Sequence, residues 1–275
     1  CFPYYLAYFE NNNRHLLEKH GEICFRVMKN WQEKNLTSSI NTKTNNKKEK
    51  KINVGIISSH IRYHSVWNHF VKGIIKNLDK NKFDLHIFSL DQEADNETLS
   101  IKNEVKYFCS GLKNLTEWAI GIKNSEIDIA FYPEIGMDKL TIQLASMRLA
   151  PVQLCSFGHP ETSGLPTIDY YISSELLESL ESENFYTEKL VKLPGLGYYF
   201  EPPTLEPATM KITQIGINPN FPVILCLGAP NKFSPLHDWV YIEIIRRVGD
   251  CQLVFMNDNA SQIDPSAHSP SLIKQ

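Results

Sequence analysis

Short apolar runs alternate with stretches of helical period, and this alternation constrains the fold more than any other feature of the chain. The runs are INVGIIS (52–58), FDLHIFSL (83–90), IDIAFY (127–132), VQLCSF (152–157) and IDYYIS (168–173), followed by KLVKL at 189–193. They are rich in β-branched and aromatic residues, which suit a pleated, buried surface. Residues 65–77, 94–107, 114–123 and 138–148 space their apolar side chains as helices do; Leu140, Leu144 and Met147 mark one side of the last. Strands joined through helical crossovers predict an α/β protein with a parallel, doubly wound sheet.

The flanks are organised differently. Residues 11–34 read as one amphipathic helix with Leu16, Leu17, Ile23, Cys24, Val27, Met28 and Trp31 as its apolar stripe. Residues 36–51 are almost wholly polar and end in Lys47-Lys48-Glu49-Lys50-Lys51, a linker or exposed loop. Pro194, Pro202, Pro203 and Pro207 mark a second break, after which a strand (223–227), a helix (236–248) and a strand (252–256) open a new cycle. The tail has no period and reads as disordered. The expected organisation is an N-terminal helical segment (1–35), a linker (36–51), a first Rossmann-like lobe (52–203), a partial second lobe (204–258) and a tail (259–275). The chain starts without Met, so it is expected to be a piece of a longer protein.

Charge and cysteine content exclude several function classes. Twenty-eight basic against 31 acidic residues leave a net charge of −3. That balance gives no bulk attraction to nucleic acid or to an anionic membrane. No apolar run is long enough to span a bilayer, and the start lacks a secretory pattern. The six cysteines, at 1, 24, 109, 155, 226 and 251, form no Cys-x-x-Cys pair. They offer neither a zinc nor a redox motif, and a reduced, cytoplasmic setting is expected.

Ligands of open parallel sheets bind beyond the carboxyl ends of the strands. Four segments fall there. The first, Ser58-Ser59-His60-Ile61-Arg62-Tyr63-His64-Ser65, precedes a helix for which Ser65 is a plausible N-cap. His60 and His64 at that mouth can orient or deprotonate a hydroxyl near neutral pH. The second, Phe157-Gly158-His159-Pro160-Glu161-Thr162-Ser163-Gly164, has glycines that let backbone approach a ligand closely. The third holds Lys232, a point charge suited to a phosphate. The fourth holds Glu134, a possible carboxylate base, and Asp138, better read as the cap of the next helix. There is no Gly-x-Ser-x-Gly elbow, and no Gly-x-Gly-x-x-Gly follows the first strand, so a hydrolase or a dinucleotide oxidoreductase is disfavoured.

Taken in order, these stretches resemble the catalytic region of the SPINDLY / O-linked N-acetylglucosamine transferase family. The words that carry the resemblance are Pro3-Tyr4-Tyr5-Leu6-Ala7-Tyr8 with Glu18-Lys19-His20-Gly21, then residues 54–67, Ala150-Pro151-Val152-Gln153 and Gly158-His159-Pro160-x-Thr162-Ser163-Gly164. Ile168-Asp169-Tyr170, Tyr186-x-Glu188-Lys189-Leu190, Leu193-Pro194-Gly195, Lys232-x-Ser234-Pro235 and His237-Asp238-Trp239-Val240 continue it. The resemblance implies two Rossmann-like lobes of the GT-B glycosyltransferase type, with a nucleotide sugar, usually UDP-N-acetylglucosamine, held in the cleft. It implies transfer to a Ser or Thr hydroxyl of an acceptor protein or peptide, with inversion at the anomeric carbon, no metal and no cofactor. His64 matches the family histidine at the sugar and acceptor end. His60 stands where many animal members carry an Asp proposed to assist proton removal. Phe157 and Gly158 match the turn along the sugar, and Ser65, His159, Pro160 and Thr162 are expected beside the donor. Lys232 matches the lysine that steadies the departing diphosphate. Ala229 stands where the family often has Gln, and the family's His-Thr-Thr segment does not follow. The resemblance therefore implies a half-built donor site and an inactive piece. The alternative class is a non-catalytic interaction module descended from such an enzyme.

Overall fold

The computed structural model describes residues 3–36, 51–91, 93–199, 201–202, 207, 209–228 and 232–255. Most of the linker expected at 36–51, the tail expected at 259–275, and Ala229 lie outside them. The chain forms two compact units, 1–202 and 203–275.

The first unit is built on seven strands in the order β3-β2-β1-β4-β5-β6-β7, every neighbouring pair parallel. They are β1 (Ile52–Ser58), β2 (Phe83–Ser89), β3 (Tyr107–Ser110), β4 (Ile129–Tyr132), β5 (Val152–Ser156), β6 (Tyr170–Ser174) and β7 (Lys189–Leu193). The helices are α1 (Arg14–Asn35), α2 (Lys72–Asn77), α3 (Asn96–Ile101), α4 (Leu115–Asn124) and α5 (Lys139–Ala145).

Side-chain alternation along the strands explains why both faces are covered. Ile57, Phe88, Ala130, Tyr132 and Cys155 enter one core cluster with Met28, Trp118, Ile122 and Leu144 of α1, α4 and α5. Their chain neighbours Ile56, Ile87 and Phe131 enter a second cluster with Trp67, Phe70, Val71, Ile75 and Ile101. Successive strand residues point to opposite faces, so each run had to be apolar at consecutive positions.

Three details depart from the sequence reading. Residues 94–107 yield only the short helix α3, capped by Asp95 in a reciprocal pair with Thr98, and the chain then forms the edge strand β3. The helix of 65–77 is not uniform: over Trp67–Val71 it widens, the Lys72 N–H reaching back five residues to the Trp67 carbonyl. Such wide turns recur at functional sites. Finally, α1 is part of the first unit, and the face it buries is Leu17, Gly21 and Met28, whereas Leu16, Ile23 and Val27 are exposed. The contact is made by glycines: a Cβ on Gly21 would lie 1.9 Å from the Gly164 carbonyl oxygen. Gly164, at φ +67°, would in turn press a Cβ to 2.0 Å from the Leu17 carbonyl oxygen. Hydrophobicity alone cannot mark such a contact, because its fit depends on missing side chains.

The second unit contains β8 (Val223–Cys226) and β9 (Gln252–Phe255), a parallel pair, with α6 (Asp238–Val248) between them in sequence. Leu225, Trp239, Ile242 and Ile245 are exposed. Among the described residues, no helix of either unit is long and apolar enough to cross a membrane.

Candidate active site

The strand order reverses between β1 and β4: β2 and β3 lie to one side of β1, β4 to β7 to the other. The crevice beyond the carboxyl ends at such a switch point is where open α/β sheets hold their ligands. Three segments leave the sheet on that edge: 59–64 after β1, 133–138 after β4 and 157–164 after β5.

Glu134 ties them together. Its carboxyl group is fully buried, and Oε1 accepts from the Ser58 hydroxyl at 2.7 Å and from the Ser59 backbone N–H at 3.0 Å. The same oxygen lies 3.3 Å from His60 Nδ1. Oε2 is buried and has no hydrogen-bond partner among the described residues. On the other flank the Gly158 N–H donates to the Pro133 carbonyl, and a Cβ on Gly158 would lie 2.9 Å from Glu134 Cβ. Glycine is therefore what lets the 157–158 turn close over residues 133–134. A carboxylate base read from sequence would face substrate; here burial turns Glu134 inward, onto the histidine loop.

His60 and His64 are brought together, their ring centroids 4.0 Å apart and the planes inclined by 32°. The helical turns begin at Ser65, so His64, not Ser65, takes the N-cap position. The His64 carbonyl accepts from the Asn68 N–H, the first intrahelical bond, and its ring Nδ1 accepts from the Val66 N–H at 3.2 Å. The reason is geometric: Nδ1 is bonded to Cγ as the side-chain oxygen of an asparagine is, so an imidazole can cap as Asn does. Ser65 itself is exposed. Burial, and then the neighbouring His60 and Arg62, hold the His64 pKa down at about 4, so the ring is neutral at physiological pH.

The turn after β5 is held by the protein's own groups. Phe157 stacks near Phe70 and Tyr198, with centroids at 4.8 and 5.6 Å. His159 is 5% exposed, its Nε2 is 3.2 Å from the Tyr4 carbonyl oxygen, and burial lowers its pKa. Pro160 is exposed. Thr162 is buried and donates to Glu188 Oε2 at 2.6 Å, while the Ser163 backbone N–H and hydroxyl both donate to Glu188 Oε1. Asp138 caps α5, accepting from the Thr141 N–H at 2.8 Å. Lys232 is exposed in the second unit, after β8. Among the described residues, no group of three or more His, Cys, Asp or Glu side chains is arranged to hold a metal ion.

An open parallel sheet with titratable groups gathered at its switch point belongs to the α/β class, in which ligands generally sit beyond the carboxyl ends of the strands. The sequence model of glycosyl transferase family 41 matches residues 4–200, and the chain belongs to that family. Over 161 residues it is 29% identical to a probable UDP-N-acetylglucosamine–peptide N-acetylglucosaminyltransferase, SPINDLY, of Arabidopsis thaliana, covering 56% of this chain and 17% of the relative. Over 79 residues it is 37% identical to a UDP-glucose:protein N-beta-glucosyltransferase of Actinobacillus pleuropneumoniae, covering 29% of this chain and 12% of the relative. An O-GlcNAc transferase mutant of Thermobaculum terrenum shares the fold, with a TM-score of 0.65 at 19% identity over 88% of this chain and 46% of that one. The chain thus spans under a fifth of the length of the first two relatives.

Proposed function

We propose that this chain is part of the catalytic region of an inverting, metal-independent protein glycosyltransferase that moves a sugar from a UDP-sugar to a polypeptide acceptor. Membership of family 41 supports the reaction class. The observation that carries the site is the pair of stacked histidines at the sheet's switch point, one of them held neutral. The pair serves the chemistry in two roles: one ring nitrogen takes the acceptor hydroxyl's proton and the other ring, the neutral one, holds an oxygen in place, as the acceptor oxygen attacks the anomeric carbon and the nucleoside diphosphate departs. The wide turn at Trp67–Val71 follows the pair in sequence and the glycine-closed turn at Phe157–Gly158 packs on Glu134 beside His60; the sugar end of the site is assigned to these turns. His159 and Thr162 bond to Tyr4 and Glu188, and in this reading they serve the donor by holding that turn in shape. Lys232 is assigned separately, on the family resemblance alone, to the developing diphosphate charge.

The donor is N-acetylglucosamine by the SPINDLY likeness, whereas the higher local identity to the N-glucosyltransferase favours glucose. Because the matched part is a small share of these relatives, the 275-residue chain is proposed to bind donor weakly, no better than millimolar, and to be inactive by itself. Ligand-observed saturation-transfer NMR with UDP-N-acetylglucosamine, UDP-glucose and GDP-fucose suits that range. Transfer to a UDP-sugar, reduced in His64→Ala, is the expected result. Transfer to none of the three, or an undiminished signal in His64→Ala, would remove the reading.

A further inference from the structure

The two histidines are not equivalent, because each ring has one nitrogen already committed. On His64 that nitrogen is an acceptor: Nδ1 takes the Val66 N–H. A neutral ring with a bare Nδ1 carries its proton on Nε2. On His60 the committed nitrogen faces an oxygen that is itself receiving two hydrogen bonds, from the Ser58 hydroxyl and the Ser59 N–H. Glu134 Oε1 is therefore acting as an acceptor whatever its charge, and Nδ1 at 3.3 Å meets it as a third donor. A neutral His60 ring that donates from Nδ1 has a bare Nε2.

We propose that Glu134 is a positioning residue that fixes His60 as the proton acceptor of the pair, while its N-cap role fixes His64 as a hydrogen-bond donor. This rests on the glycosyl-transfer reading for the identity of the substrate. In that reaction His60 Nε2 takes the acceptor proton and the acceptor lone pair forms the new bond to the anomeric carbon. The carbon–oxygen bond to the diphosphate breaks with its electron pair leaving on the nucleotide. The positive charge that arrives on His60 is met by Glu134, buried beside it and out of reach of solvent. His64, presenting Nε2–H, holds an oxygen in place and cannot itself take the proton there. Oε2 of the same carboxyl group is buried and has no hydrogen-bond partner among the described residues, so Oε1 alone ties Glu134 to the histidine loop.

Long-range nitrogen–proton correlation NMR on the histidine-labelled 275-residue chain at neutral pH tests this directly, with His60→Gln and His64→Gln variants to assign the two rings. The expected result is a proton on Nδ1 of His60 and on Nε2 of His64. A proton on Nε2 of His60, or on Nδ1 of His64, overturns the assignment. Glu134→Gln retains an acceptor oxygen and is expected to keep the His60 tautomer. Glu134→Ala is expected to give mixed His60 tautomers with His64 unchanged; a folded Glu134→Ala chain with an unaltered His60 ring would refute the positioning role. Should the alanine variant not fold, the unsubstituted chain and Glu134→Gln still decide: a His60 tautomer lost in the glutamine variant counts against it. Adding UDP-N-acetylglucosamine separates the two levels, since tautomers as assigned with ring signals unmoved by nucleotide sugar would defeat the donor reading and not the proton placement.

Discussion

Replacing His64 by Asn should make the protein less sensitive to acid. Asn keeps an acceptor for the Val66 N–H and is among the best N-cap residues, but it cannot titrate. In the folded chain the His64 pKa is lowered from 6.5 to about 4, chiefly by burial. The unfolded chain therefore binds a proton on this ring over a range where the folded chain does not. Stability linked to His64 is fully present above pH 6.5 and is lost as pH falls from there toward about 4. A shift of that size corresponds to about 3 kcal/mol at its limit, and the half-buried ring brings the expectation down to about 1–2 kcal/mol. Burial also lowers the pKa of His20 and His159, but both are present in the variant and cancel in the difference. Urea denaturation of both chains between neutral pH and the mid-acid range measures it. The stability of the unsubstituted chain minus that of His64→Asn should fall steadily with acidification. A difference constant across that range would refute the buried, neutral imidazole.

Other substitutions probe the frame that holds the site. Gly164→Ala should cost well over the ~1 kcal/mol of a left-handed backbone, because its Cβ would strike the Leu17 carbonyl, whereas Gly111→Ala, at φ +78° with open space around it, should cost only that ~1 kcal/mol; thermal melts of the pair separate the clash from the backbone term. Asp138→Ala removes the α5 cap and should lower stability by about 1 kcal/mol in urea melts. Glu188→Ala removes the acceptor of the Ser163 N–H and hydroxyl and leaves the Thr162 hydroxyl only Thr187, and should cost about 2–3 kcal/mol, with faster amide exchange at 162–164 as its local signature.

Much of the first unit was legible because its strands are buried on both faces and so read as continuous apolar runs. β3 escaped because it is a four-residue edge strand, half in water, with no room for a pattern. The apolar period of α1 points to Leu16, Ile23 and Val27, whereas its docking side turns on Gly21, whose contribution is the side chain it lacks. His60 and His64 were found through their place after a strand, a topological signal. Their inequivalence was not, because it depends on Glu134, 74 residues from His60 and brought to it only by the β1–β4 pairing. Residue preference points to Ser65 as the cap, yet the ring nitrogen one residue earlier fills that position. The turn at 157–164 was legible as a turn, while the commitment of Thr162 and Ser163 to Glu188 required the β5–β6–β7 order.

The central claim is that a nucleotide sugar is held over the carboxyl ends of β1, β4 and β5. Hydrogen exchange of the chain with and without millimolar UDP-N-acetylglucosamine or UDP-glucose tests it most directly. Slowed exchange at 58–66 and 157–164, weakened in His64→Ala, is the predicted result; slowing confined to the opposite edge of the sheet, or absent with both donors, would contradict it.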